Sequence, residues 1–260
     1  MNEGLNLNLG RSLFDYQPES VNNKAVLITG GTTGIGRATA LLLAAQGAQV
    51  MIFGRHEQEL NEAVNDIRRA GGDVLGLTAD TADPEDIRRV FQEVDRQLGQ
   101  LDILINNAAL GYNSVMEGTY QEWQYIVNTN LLGYMAIAHE AIERMKANGW
   151  GHIVNVGSMS ADVREKGSSV YVATKSGIEG FSEALRKEVN PLGIKVTLIE
   201  PGAVGTDMQS EYSPKEQRKK EEKMEMLKAE DIAACILHTI IQPRRCDVVL
   251  MQIRPHLQSI

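Results

Sequence analysis

Cysteine is scarce: the 260 residues hold two, Cys235 and Cys246. Two thiols cannot build a disulfide framework and their spacing matches no zinc site, so both are expected to be reduced, with Cys235 packed on a helix. An excess of positive charge is also missing. Lys and Arg number 26 against 34 Asp and Glu, and a net charge of −8 argues against a general nucleic-acid binder. No apolar run approaches the roughly 20 residues of a membrane span. No basic stretch followed by an apolar core opens the chain, so a secretory signal is not expected and cytoplasmic localisation is. The five histidines lack any metal-binding spacing such as H-E-x-x-H, so no metal is expected.

What is present is ordinary globular composition, 43% hydrophobic and 23% charged, in a length that suits one α/β domain with a large buried sheet. After an N-terminal extension, residues 1–23, short apolar runs alternate with longer amphipathic ones. Residues 25–29, 49–53, 73–77, 102–106, 152–157, 195–200 and 247–253 read as strands rich in Val, Ile and Leu, the composition of strands buried on both faces. Helical segments lie between them. Asp83-Pro84 gives an N-cap and a first-turn proline, and Gly47, Gly71, Gly99 and Gly193 sit where glycines close helices. The fold class is therefore α/β: a single domain, residues 24–260, built as a doubly wound parallel sheet of about seven strands with helices on both faces. Residues 210–228 break the rhythm with a charged, Met-containing insertion. It leaves the carboxyl end of the sixth strand, where ligands bind in such sheets, and so reads as a substrate lid.

The first strand runs into Thr29-Gly30-Gly31-Thr32-Thr33-Gly34-Ile35-Gly36. Its glycines let the backbone turn tightly against a pyrophosphate, and the following helix offers free N–H groups and a positive dipole end to the anion. Gly30, Thr32, Thr33, Gly34, Ile35 and Gly36 are the candidate phosphate-binding residues of a Rossmann-type dinucleotide site. The second strand ends in Phe53-Gly54-Arg55-His56, with no carboxylate before Glu57. An acidic residue there would bond a ribose 2′-hydroxyl; Arg55 instead faces a 2′-phosphate, which predicts NADP (NADPH) as cofactor. Asp80 and Thr81, after the third strand, are candidates for the adenine edge.

The later strands also end in polar motifs: Asn106-Asn107-Ala108-Ala109, then Asn128-Thr129-Asn130, Ser158, Tyr171-Val172-Ala173-Thr174-Lys175, and Pro201-Gly202-Ala203-Val204-Gly205-Thr206. In kind, order and spacing these motifs, with the glycine-rich turn, resemble the short-chain dehydrogenase/reductase family from about Lys24 onward. Tyr171 and Lys175 stand four apart, on one helix face. A free tyrosine, with a pKa near 10, is too weak a base at neutral pH; the Lys175 ammonium and an oxidised nicotinamide would both favour the phenolate. Tyr171 then exchanges a proton with the substrate oxygen while Ser158 hydrogen-bonds it. The resemblance implies that Asn130 supports a water leading from Lys175 to solvent and that Lys175 bonds the nicotinamide ribose. It further implies that Asn107, Ala108 and Ala109 border the cofactor, that Thr206 meets the carboxamide, and that Pro201, Gly202 and Val204 shape the turn beneath. Asn130, Ser158, Tyr171 and Lys175 are thus the candidate catalytic residues.

The chain's end, including Ala229-Glu230-Asp231-Ile232-Ala233 and Gln252-Ile253-Arg254-Pro255, is similar to the NADP-dependent serine/3-hydroxy acid dehydrogenase branch. The implied reaction interconverts a secondary alcohol and a carbonyl, on a small-molecule substrate such as a 3-hydroxy acid. Arg164, Lys166, Arg218, Lys219 or Lys220 would then pair with its carboxylate. The alternatives are a ketone or 3-oxoacyl reductase, or a non-catalytic NADP(H)-sensing protein. The resemblance also implies a homotetramer or homodimer. Trp123, Trp150 and His152 read as packing residues.

Overall fold

Seven parallel strands form one sheet in the order β3-β2-β1-β4-β5-β6-β7. The computed structural model describes residues 16–208 and 212–258. The strands are β1 (Ala25–Thr29), β2 (Gln49–Gly54), β3 (Asp73–Thr78), β4 (Ile103–Asn106), β5 (Gly151–Val156), β6 (Ile194–Pro201) and β7 (Leu250–Ile253). All seven agree with the sequence reading within a few residues; β4 starts one residue late and β7 three.

Alternation along each strand feeds two cores. Val26 and Ile28 join one cluster and Leu27 the other, all three fully buried. The first core is covered by α1 (Gly34–Ala45), α2 (Glu57–Arg69) and α9 (Ala229–Ile240). The second is covered by α3 (Pro84–Gln97), α5 (Gly133–Asn148) and α7 (Ser169–Val189). Strands buried on both faces cannot show a polar side, which explains their continuous apolar runs.

The helix signals hold. Asp83 accepts a hydrogen bond from the Glu85 amide at 2.8 Å and Pro84 occupies the first turn. Gly47, Gly71, Gly99 and Gly193 all take positive φ, from +70° to +86°. The helical segments are more divided than expected. The stretch between β4 and β5 runs as α4 (Tyr120–Val127), a π turn (Asn128–Leu132) and α5; that between β5 and β6 includes a short α6 (Ser160–Val163) before α7. The charged insertion contains α8 (Pro214–Glu222), capped by Ser213, and part of it lies outside the described residues.

The end of the N-terminal extension packs on its own domain: the Glu19 amide donates to Ile241 O at 2.8 Å and Val21 is buried. Residues 1–15 lie outside the described residues. His152 is structural, as expected. Burial, aided by the charge of Lys195, pushes its imidazole down to about 3, and its Nε2 lies 2.8 Å from Thr197 Oγ1.

The chain winds outward from β1 to β3, then crosses back to begin β4 on the other side of β1. The connections leaving β1 and β4 therefore part in opposite directions at their carboxyl ends and open a crevice there.

Candidate active site

A cleft of about 1540 Å³ occupies that crevice, lined from the ends of β1 to β6 and from α7. Its floor is the glycine-rich turn. Gly30 and Gly34 adopt φ of +62° and +51°, in the left-handed region that favours glycine, and both line the cleft with Thr32, Thr33 and Ile35. Gly36 does not line it. A Cβ at this position would lie 2.2 Å from Gly30 O and 2.7 Å from Asn107 Nδ2, so its role is to let α1 approach β1 closely.

One hydroxyl ties this turn to the end of β4. Thr29 Oγ1, fully buried, accepts from the Asn107 amide at 2.8 Å and the Ala108 amide at 2.7 Å. Asn107 reciprocates, its Nδ2 donating to Thr29 O at 3.0 Å and Gly30 O at 3.3 Å. Asn107, Ala108 and Ala109 line the cleft. Thr29 was missed because a threonine closing a strand is ordinary β composition.

At one end of the cleft lie Arg55, His56 and Glu59, with Thr81. Arg55 is exposed, and its Nη1 donates to Tyr125 Oη at 2.6 Å. Tyr125 in turn donates to Asp80 Oδ2 at 2.6 Å. The Asp80 carboxylate, a candidate for the adenine edge, is bonded to Tyr125 and to the Ala82 amide, and Asp80 does not line the cleft.

The opposite end holds Ser158, Tyr171 and Lys175. Lys175 is 2% exposed, and its Nζ donates to Val156 O at 2.9 Å, an oxygen that also accepts from Tyr134 Oη at 3.1 Å. Burial pulls the ammonium down to about 7, although the charge of Glu200 opposes this. Tyr171 is half-buried, with its ring centre 5.7 Å from Lys175 Nζ. Burial raises its phenol, against a hydrogen bond with Ser158 that lowers it and with the Glu165 charge adding to the rise. The expected depression of Tyr171 is therefore absent from the free chain. Burial outweighs the Ser158 hydrogen bond.

Asn130 does not line the cleft. It is fully buried in the π turn and pairs with the Leu110 backbone in both senses, Leu110 N to Oδ1 and Nδ2 to Leu110 O, each 2.8 Å. Its Nδ2 also lies 3.3 Å from Thr174 Oγ1, one residue before Lys175. Its neighbour Thr129 does line the cleft, with a buried Oγ1 that has no partner. Pro201, Gly202, Val204 and Thr206 line the far wall, where the Thr206 side chain crowds Gly34.

A family model described as short chain dehydrogenase matches residues 24–217. The chain belongs to the short-chain dehydrogenase family. It is 30% identical over 236 residues to an uncharacterized oxidoreductase of Staphylococcus aureus (strain USA300), covering 90% of this chain and 98% of that protein. It is 37% identical over 187 residues to a 3-oxoacyl-[acyl-carrier-protein] reductase of Bos taurus, covering 72% of this chain and 78% of the relative. Its fold matches the crystal structure of a short-chain type dehydrogenase/reductase from Mycobacterium marinum with a TM-score of 0.80 at 25% identity, over 91% of this chain and 96% of that one. The protein is thus an oxidoreductase of a family that binds a nicotinamide cofactor. Among the described residues no helix is long and apolar enough to cross a membrane, and no cluster of His, Cys, Asp and Glu could hold a metal.

Other side chains complete the lining of the cleft. Tyr112, Glu117, Val163, Glu165, Asp207 and Met208 line it, with Met208 Sδ 3.8 Å from Tyr171 Oη. Among the described lining residues, Arg55 and Lys175 are the only Arg or Lys. The cations expected to meet a carboxylate lie elsewhere. Arg164 Nε donates to Ala161 O at 3.0 Å, Lys220 lies 3.8 Å from Glu225, and neither these nor Lys166, Arg218 or Lys219 line the cleft.

The Thr29 clasp yields a prediction. Thr29→Val preserves the shape but leaves two amides without their acceptor, and should cost about 2 kcal/mol of stability. Urea denaturation, with cofactor titration alongside, checks this; an unchanged midpoint with unchanged affinity refutes it.

Proposed function

We propose that this short-chain dehydrogenase is an NADP-dependent reductase of a neutral carbonyl, interconverting it with the secondary alcohol. The observation that carries the reading is Tyr171 and Ser158 at the mouth of a cleft whose other end presents Arg55. The residues fit a dinucleotide: a glycine cradle at one wall, an unpartnered buried Thr129 hydroxyl, and length enough to join the two ends. Gly30, Thr32, Thr33, Gly34 and Ile35 would hold the pyrophosphate, Arg55 the 2′-phosphate, and Asn107, Thr206 and Lys175 the nicotinamide end. When bound, NADPH supplies hydride.

The chain's own residues supply the proton. Ser158 orients the substrate oxygen, and Tyr171 donates its phenolic proton as negative charge develops there. Because burial raises the Tyr171 phenol, it stays protonated through neutral pH, which is the donating form. Oxidation of the alcohol needs the phenolate and should gain as pH rises. Lys175, held by Val156 O, stands beside the phenol to balance the charge it acquires.

The acidic side chains Glu117, Glu165 and Asp207 at the substrate side favour a neutral carbonyl over a carboxylate, so the 3-hydroxy acid reading of the serine dehydrogenase branch is the weaker one. A 3-oxoacyl thioester is the second reading, favoured by the bovine relative. Exposed Val127, Leu132 and Met135 along α4, the π turn and α5 support a homotetramer or homodimer.

Consumption of NADPH with simple ketones and 3-oxoacyl thioesters, and reduction of NADP with L- and D-serine and 3-hydroxyisobutyrate, test the substrate class; turnover confined to the hydroxy acids would overturn it. Tyr171→Phe should lose roughly a hundredfold or more of turnover while keeping cofactor affinity, and near-normal turnover would sink the proton-transfer role. Arg55→Ala should weaken NADP binding by about tenfold or more with little effect on NAD; equal losses remove the reason for naming NADP. A monomeric mass in sedimentation would reject the assembly.

A further inference from the structure

Glu200 is a buried charge that this chemistry does not use. It lies one residue before Pro201, at the carboxyl end of β6, and is 1% exposed. Oε2 accepts from Gln252 Nε2 at 3.0 Å; Oε1 is buried and has no partner. Residues alternate across a strand, so Glu200 shares a face with Leu198. Leu198 packs against Tyr134 and Ile178, which puts this face of β6 beneath α7. Ile178 stands three residues from Lys175 on that helix. Gly157, on the neighbouring strand's extension, makes the room: a Cβ there would sit 3.3 Å from Glu200 Cγ.

A fully buried carboxylate is costly unless paired with a charge or hydrogen-bonded. The groups around it define its options. Lys175 and Glu179 face it from α7, Asp162 from α6 and Gln252 from β7. Gln252 also donates to Asp162 Oδ2, so one amide spans two carboxylates. Lys175 is the sole cation of this group, and it needs a counter-charge as much as Glu200 does.

We propose that Glu200 is a positioning residue for proton transfer: its buried carboxylate keeps Lys175 charged beside Tyr171, with Gln252 securing the carboxylate. This rests on the reading of Tyr171 and Lys175 as the proton-transfer pair. The mutual influence has the right sign. Glu200 opposes the fall of the lysine, while burial, Asp162 and Glu179 push Glu200 upward against Gln252 and Lys175. An opposite charge nearby favours the ammonium, and an ammonium favours the phenolate. Removing the carboxylate therefore lowers Lys175 and raises Tyr171.

The test is Glu200→Gln, which keeps the size and the acceptor for Gln252. The Lys175 titration is followed by NMR of ¹³Cε-lysine, its signal identified by its loss in Lys175→Gln. Its midpoint should fall by about one pH unit. In alcohol oxidation, the acid limb of the kcat profile should move to higher pH, with turnover recovering at alkaline pH and cofactor affinity unchanged. A merely structural role would lower kcat at every pH without moving the limb. Gln252→Leu, at an exposed position, should shift both midpoints in the same directions and decides the matter if Glu200→Gln does not fold. Lysine titrations that superimpose on the parent overturn the proposal. Absence of turnover in the parent would strike the activity reading alone, since the lysine titration needs no substrate.

Discussion

The hydroxyl of Thr29 holds the two sides of the crevice at one spacing. In a doubly wound sheet the chain departs from β1 and from β4 in opposite directions, and nothing in the strand ladder fixes how their loops face each other. Here a single buried oxygen accepts two amides from beyond β4, and Asn107 returns two bonds to the backbone of the glycine-rich turn. The close approach of α1 depends on this, because Gly36 lies against Gly30 O and Asn107 Nδ2. The glycine-rich turn is thus held by a joint between two strands rather than by its own loop alone.

Electrostatics divide the cleft. At one end Arg55 is tethered through Tyr125 to Asp80, so its guanidinium is held in place by a chain of two hydrogen bonds. At the other end the charges are buried and few. Lys175 carries its proton weakly and Tyr171 holds its proton firmly, both because burial penalises the charged form. The free chain is therefore poised to donate a proton, and conversion to a base requires additional positive charge. That asymmetry comes from the low dielectric surrounding both side chains.

Much of this was legible in the amino-acid order. The apolar runs marked the strands because β1, β4, β5 and β6 are buried along their whole length and must be apolar on both faces, while the edge strands β3 and β7 expose alternate residues; glycines 47, 71, 99 and 193 closed helices because each needed positive φ. Gly30, Ser158, Tyr171 and Lys175 arrive in one cleft, although over a hundred residues separate the first from the others. What stayed hidden depended on long-range partners. Asp80 looked available until Tyr125, 45 residues away, took its carboxylate. The loop cations looked like carboxylate ligands because a sequence cannot show which way α8 and the loop after α6 turn. Glu200 looked like any residue before a Pro-Gly turn, and Thr29 like any strand end. Burial, which set the direction of Tyr171, is invisible in local spacing.

The π turn at Asn128–Leu132 has a consequence for how this enzyme could change over time. Such a turn holds one more residue than the α-helical course around it, and one residue corresponds to about 100° of helix rotation. Tyr125 precedes the turn and reaches Arg55; Asn130 lies within it and grips Leu110; Tyr134 follows and reaches Val156 O. These three side chains reach three separate segments, at Arg55, Leu110 and Val156, from the two sides of the π turn and from within it. Losing the extra residue would swing everything downstream out of phase at once, whereas point changes could be absorbed one by one. This stretch can therefore drift in composition yet is nearly frozen in length, and the same arithmetic ties the exposed Val127, Leu132 and Met135 to the buried contacts beneath them.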